Sequence, residues 1–221
     1  MREGMDMSLR TFVQGVPVAE YPAVPPEALR GRPRRVTEVG EEVLHRPCRE
    51  ATEAEFGTPG LAALIDDLFA TQLIAEGAGL AANQVGVDLR LFVWDCLDDD
   101  GVRHVGHILN PVLEEVPLGE RRLVEAAEGC LSVPGPHREL ARPDRAVVHG
   151  RDQDGRPLVI EGTGYFARCL EHETDHLLGR LYLDRLPART RRSALREMAR
   201  RRDEVLARRA GLTAALTGER G

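Results

Sequence analysis

The spacing of apolar residues changes several times along this chain, and each change marks an element. From Thr58 onward, Leu61, Leu64, Ile65, Leu68 and Phe69 recur at helical intervals. This predicts a helix with Thr58 as its N-cap, Pro59 in its first turn and a stop at Gly77. The pattern then turns strand-like in LRLFVWDC (89 to 96) and HILNPVLEEV (107 to 116). Two shorter runs, RAVVHG and RPLVIEG, are joined by RDQDG as a hairpin. Helical spacing returns over about 163 to 178 and is closed by Gly179. A last helix, about 189 to 210, carries Leu195, Met198 and Val205 on a narrow stripe and ends at Gly211. Separate helices among strands joined by hairpins predict an α+β fold. Residues 1 to 35 contain five prolines and no sustained apolar period, so they read as an extension, either disordered or draped over the core.

Composition narrows this picture. A chain of 221 residues with 42% hydrophobic and 30% charged residues suits one well-buried domain with tails. Its apolar runs are too short to cross a membrane, and the first 30 residues lack the features of a secretory signal, so a cytoplasmic location is expected. Cys48, Cys96, Cys130 and Cys169 show no CxxC spacing, which suits free thiols or a metal ligand better than a disulfide framework. All 30 basic residues are arginine; ten lie in residues 187 to 221, beside four acids. That tail is +6 while the whole chain is −6. Such asymmetry points to a tail that meets a polyanion, or to a solvated helix.

The chemistry concentrates in EHETDHLLGRLY (171 to 182). Its HExxH places His172 and His176 on one helical face with Glu173 beside them. Two histidines leave an open metal site one ligand short. The extended motif HExxHxxGxxH fits through Gly179 and then meets Tyr182 where a third histidine is needed, so the ligand must come from elsewhere. EAAEGCLSVPG (125 to 135) offers Cys130 on a short extended segment, although a lone cysteine is usually a small core residue. GAGLAANQVG (77 to 86) satisfies a dinucleotide fingerprint in letters only, because its helix precedes and its strand follows. Its glycines instead suit a backbone lying close to an extended ligand, with Gln84 as a candidate carbonyl polariser.

In this order and spacing, GAGLAANQ, EGCLS and HETDH resemble peptide deformylase, from about Val36 through the arginine-rich tail. The resemblance implies an α+β fold with small mixed and antiparallel sheets around the HExxH helix and a C-terminal helix. The chain divides into an extension (1–35), a catalytic domain (36–186) and a basic C-terminal helix and tail (187–221). The resemblance also implies hydrolysis of the N-formyl group of formyl-methionyl nascent peptides, with metal ligands Cys130, His172 and His176. Iron(II) is the expected metal; zinc, nickel and cobalt suit the same donors. Glu173 is the expected general base, with the Gln84 side chain and the Leu131 N–H as oxyanion donors. Ala78, Gly79 and Gly129 are expected to pair with the peptide backbone. Counting back along the helix face from His172 gives Cys169, Arg168 and Tyr165 for the methionine pocket, with the Arg168 head reaching water. The basic tail is expected to dock on ribosomes, leaving formate release from short peptides independent of residues 187–221. Two features depart from the family pattern: Glu171 stands where glutamine is common, and the N-terminal extension is long. Two rival readings are an HExxH peptidase with Glu197 as third ligand, and a non-catalytic ribosome-binding protein whose structural metal would need a fourth protein ligand.

Overall fold

A computed structural model describes residues 10–117 and 119–218. Expectations for residues 1–9 and 219–221 lie outside the described residues. The longest strand system is built on β5 (Arg103–Leu113), which pairs antiparallel with β4 (Leu91–Leu97), through a turn at Asp98 whose carboxylate accepts the N–H groups of Asp100 and Val102. β3 (Gly79–Ala81) adds to the far side of β4 as an edge strand. On its other side, β5 bends at Asn110, whose side chain clasps the Ala51 backbone at 2.7 and 2.9 Å. Beyond the bend it pairs with β8 (Arg145–Arg151), which forms the expected hairpin with β9 (Pro157–Thr163).

Part of the expected extension joins this sheet. β1 (Thr11–Val13) lies parallel to β5 and turns through Gln14 and Gly15 into β2 (Val16–Val18). Both turn residues have positive φ, 51° and 76°, the geometry of a tight two-residue hairpin. Three-residue strands are too short to show an alternating pattern, which hides them in the sequence. A short helix, α1 (Pro26–Arg30), then packs on α2 (Pro59–Ala75).

The Thr58 oxygen accepts the Leu61 N–H at 3.3 Å, so the N-cap of α2 forms as expected. The helix ends through Glu76, not Gly77, in the left-handed conformation. Gly77 answers a different need, since a Cβ there would lie 2.6 Å from Leu131 Cδ1. A second ribbon, β6 (Leu123–Cys130) with β7 (Val133–Pro143), stands apart from the main sheet. Its three prolines in β7 disguise it, because proline fits only where no ladder N–H is required.

Helix α3 (Gly164–Leu177) is enclosed by β3, β4, β5, β7, β8 and β9, and its apolar side meets Phe92, Trp94, Ile108 and Val148. Helix α4 (Ala188–Gly218) runs past the expected stop at Gly211 and packs Ala194 and Met198 against Val133 and Tyr182. Among the described residues no helix is long and apolar enough to cross a membrane.

Candidate metal centre and substrate cleft

His172, Glu173 and His176 are buried on α3, and β6 delivers Cys130 to the same point. Cys130 Sγ lies 3.2 Å from His176 Nε2, which lies 3.1 Å from His172 Nε2. Among the described residues these form a three-donor cluster whose ligand atoms all fall within 4.8 Å of one another. One ion with bonds of about 2.0 to 2.3 Å fits between donors so spaced, and one thiolate with two imidazoles suits a divalent transition metal.

The two histidines are held differently. His172 Nδ1 lies 2.7 Å from Glu128 Oε1, which fixes the tautomer that leaves Nε2 free for a metal. His176 Nδ1 is buried with no hydrogen-bond partner, but the Asn83 amide donates to the His176 carbonyl at 2.6 Å and so fixes its backbone. Tyr182, the residue where a longer motif would have histidine, stacks near His172 and donates to the Pro136 carbonyl.

Behind His172 lies a buried ionic network. Glu128 accepts from Arg142 at 2.8 and 2.6 Å and from Arg168 at 2.9 Å. Arg142 also reaches Asp175 at 2.8 Å, which in turn binds Arg185 at 2.7 and 2.6 Å. Burial alone would raise the Glu128 carboxyl, but Arg142 and His172 hold it well below the usual range. Burial likewise disfavours charge on Arg142, and Glu128 and Asp175 reverse the balance. Glu171 sits on the rim of this network, its Oε2 3.6 Å from Arg142. Burial pushes its carboxyl up to about 7 while Arg142 pulls the other way.

Arg168 is therefore corrected. Its guanidinium never reaches water; it binds Glu128 and the carbonyls of Leu140 and Val124, tying α3 to the β6–β7 ribbon. Arg168 still borders the cavity through its flank, together with half-exposed Tyr165 and buried Cys169.

That cavity, of about 330 Å³, opens above the metal donors and is lined by Ala78, Gly79, Gln84, Gly129, Cys130, Leu131, His172 and Glu173. His176 lies beneath it, fully buried. Gln84 Oε1 accepts the Ala81 N–H at 2.9 Å, which turns Nε2 toward Ser132 Oγ at 3.2 Å and Cys130 Sγ at 3.7 Å. Glu173 is 3% exposed, and its Oε2 has no partner. Burial lifts its carboxyl to about 7, partly offset by the charge of His172. Only glycine fits opposite it, since a Cβ at Gly79 would lie 2.7 Å from Glu173 Oε1 and 2.9 Å from Cys169 Sγ.

The Asp95 N–H donates to Ala78 O at 3.0 Å, so the antiparallel alternation turns the Gly79 backbone groups toward the free edge of β3. Gly129 lies on β6, which pairs only with β7 among the described residues. These two edges suit an extended peptide. The Ala78 carbonyl does not, because Asp95 and the Gln72 amide already occupy it.

Helix α4 forms the remaining wall through Arg201, Val205, Arg208 and Arg209. The cleft is thus not independent of residues 187–221, and their removal would open it. Glu197, the rival ligand, instead binds Arg138 at 2.9 Å and Arg201 at 3.4 Å. The contributions of Glu128, Arg142 and Asn83 were not read from the sequence. The first lay within EGCLS, with no local signal for its partner 14 positions on.

An open Cys/His/His donor set, a buried carboxylate and two free strand edges beside one cleft define a metal-dependent hydrolase acting on extended peptides. The polypeptide deformylase family model matches residues 33–192, and the chain belongs to that family. It is 56% identical over 170 residues to peptide deformylase 1 of Streptomyces avermitilis, covering 77% of each chain. A peptide deformylase from Ehrlichia chaffeensis in complex with actinonin superposes with a TM-score of 0.69 at 31% identity, covering 77% of this chain and 98% of that one. A Met-Ala-Ser-bound deformylase from Acinetobacter baumannii superposes with a TM-score of 0.63 at 26% identity, covering 70% and 98%. The chain is a metal-dependent deformylase of formyl-methionyl peptides, and the peptidase and non-catalytic readings fall away.

Proposed function

We propose that residues 36–186 carry the catalytic groups in a cleft closed by α4, that iron(II) is held by Cys130, His172 and His176, and that the enzyme acts in the cytoplasm on nascent formyl-methionyl chains. Zinc, nickel or cobalt satisfies the same donors, and the thiolate makes an iron form sensitive to oxidation. The observation that carries this reading is the convergence of Cys130 Sγ, both imidazole Nε2 atoms and the unpartnered Oε2 of Glu173 at one cleft. A bound divalent ion supplies Lewis acidity and lowers the pKa of water. Glu173 takes the proton of the attacking water and returns it to the departing amine. The Gln84 amide and the Leu131 N–H answer the charge that develops on the formyl oxygen. Gly79 and Gly129 pair with the peptide backbone along the free edges of β3 and β6. The methionine side chain lies against Tyr165, Cys169 and the flank of Arg168.

For the tail, the exposed arginines Arg192, Arg196 and Arg200 of α4 suit salt-dependent docking on ribosomal phosphate. Reversing these charges tests docking without opening the cleft, which truncation after Leu186 would not. Cosedimentation should fall at low salt, and unchanged cosedimentation would remove the ribosome from the reading. The catalytic proposal is tested by anaerobic purification, metal analysis and formate release from a formyl-methionyl peptide. Cys130→Ala should lose most metal and all release, while Cys48→Ala keeps both. Full turnover in Cys130→Ala would refute the ligand set.

A further inference from the structure

Helix α4 brings four arginine or apolar side chains to the cleft, and its arginines differ in how they are answered. Arg208 Nη2 binds Glu76 at 2.5 Å, joining α4 to the end of α2 across the mouth of the cleft. Arg201 donates to the Gly135 carbonyl at 2.9 Å and to Glu197. Arg202 is matched by Glu38 at 2.6 and 2.7 Å. Arg209 has no such carboxylate. Its Nη2 donates to the Leu131 carbonyl at 3.1 Å, while Nε and Nη1 are shielded from water and have no acceptor. The anions that influence it are Cys130, committed to the metal site, and Glu38, already engaged by Arg202. Burial accordingly pulls the guanidinium pKa down. A shielded cation with two unanswered donors is unfavourable until an anion completes it.

The same cavity is lined by Glu173 and His172 and by Val205 and Arg209. Extended chain advances about 3.3 Å per residue, and Arg209 is bonded to the residue beside the ligand Cys130, so the positions just beyond the methionine are the ones that can reach it. Leu131, the residue that follows the ligand Cys130, is the bridge: its backbone is tied to Arg209. An anion, and in a peptide a carboxylate, is the group that best answers a guanidinium with a free, charged Nη1 donor.

We infer that Arg209 is a specificity-determining residue that binds a carboxylate side chain at the second or third residue of the formyl-methionyl substrate. A small rotation of the side chain turns Nη1 to that group while the peptide occupies the cleft and Nη2 keeps the Leu131 carbonyl. The inference rests on the deformylase activity, and it adds a preference for acidic residues just beyond the methionine.

The test uses metal-loaded full-length enzyme, kept anaerobic, and four amidated peptides: formyl-Met-Ala-Glu, formyl-Met-Ala-Gln, formyl-Met-Glu-Ala and formyl-Met-Gln-Ala. The wild type should favour Glu over Gln by about tenfold in kcat/KM at one of the two positions, mainly through KM, as expected for one charge-assisted contact. Arg209→Met should bring that ratio to about one, and Arg209→Lys should keep part of it. Arg196→Met removes the same charge from the exposed face and should leave the ratio intact. Comparing two peptides on one enzyme separates this from any loss of folded or metal-loaded protein. A measurement needing no variant supports it: added salt should raise KM for the Glu peptide more than for the Gln peptide. No Glu preference in the wild type, an unchanged ratio in Arg209→Met, or an equal loss in Arg196→Met would each overturn the proposal. Absence of formate release from all four peptides would instead refute the deformylase reading itself.

Discussion

Helices α3 and α4 both carry many charged residues, yet the chain treats those charges in opposite ways. On α3, Arg168, Glu171, Glu173 and Asp175 are all buried, and Arg168 and Asp175 belong to one network with Glu128 and Arg142. On α4, most arginines face water, and their ion pairs lie at the surface. Removing a charge from water forces it to find partners in fixed geometry, so on α3 each group restricts the others. A surface charge keeps its hydration and restricts little. Glu173 is the exception on α3: buried like its neighbours but left unpartnered at Oε2, where an incoming proton can be received.

That exception gives the largest expected effect. Glu173→Gln preserves shape and leaves all three metal donors in place, so metal content should persist while kcat falls by about 10² to 10⁴. Metal analysis and steady-state kinetics on the same preparation decide it. A near-normal kcat would make Glu173 one more structural charge of α3.

The contrast between the helices also explains what could be read beforehand. The donors Cys130, His172 and His176 and the proposed base Glu173 lay in short motifs, and an HExxH turn brings His172, Glu173 and His176 together by helical geometry alone. Helix α2 was legible through its cap and period, and the β8–β9 hairpin through its turn. Arg142 was not, since it meets Glu128 and Asp175 only after the β6–β7 ribbon folds back on α3. The same reason hid Arg209, whose contact with Leu131 spans 78 positions. Arg168 was misplaced because helical periodicity gives the face of a residue but not the partners that wait there.

Arg142→Met should show how far the α3 network acts as a unit. It leaves Glu128 without its two-pronged contact and Asp175 with Arg185 alone. Breaking one member of a buried charge set typically destabilises by about 3 to 5 kcal/mol, and a loss of that size is expected in denaturant midpoints. Metal affinity should fall as well, because His172 loses its fixed carboxylate. A loss below about 1 kcal/mol would place the network with the surface pairs of α4.

A third test concerns a half-buried group with no carboxylate in contact. His107 accepts the Gln153 N–H at Nε2, and the Gln14 amide lies 3.1 Å from the same atom. Burial lowers its pKa to about 4, with Asp152 and Asp154 opposing. The unfolded chain therefore binds this proton at higher pH than the folded one. Stability is fully present above the unfolded value of about 6.5 and is lost as pH falls from there toward about 4. The expected loss is about 1 to 2 kcal/mol, discounted because the ring is only partly shielded. Urea midpoints at pH 7 and 5 measure it, and His107→Gln should flatten the difference. An unchanged pH dependence in that variant would assign the acid sensitivity elsewhere.

The smallest effect belongs to α4. Arg202 meets Glu38 in a two-pronged contact at 2.6 and 2.7 Å, with the arginine 43% and the glutamate 16% exposed. It uses the same Nε and Nη2 fork as Arg142 with Glu128, so the two pairs differ mainly in burial and in the further partners that burial demands. In water the guanidinium recovers hydration when its partner is removed, so Arg202→Met should cost no more than about 1 kcal/mol. The coupling energy from a double-mutant cycle with Glu38→Gln should shrink further in high salt, since screening reaches an exposed pair. A coupling of about 3 kcal/mol that resists salt would mean that this part of α4 is held like α3, and that exposure is not what separates the two helices.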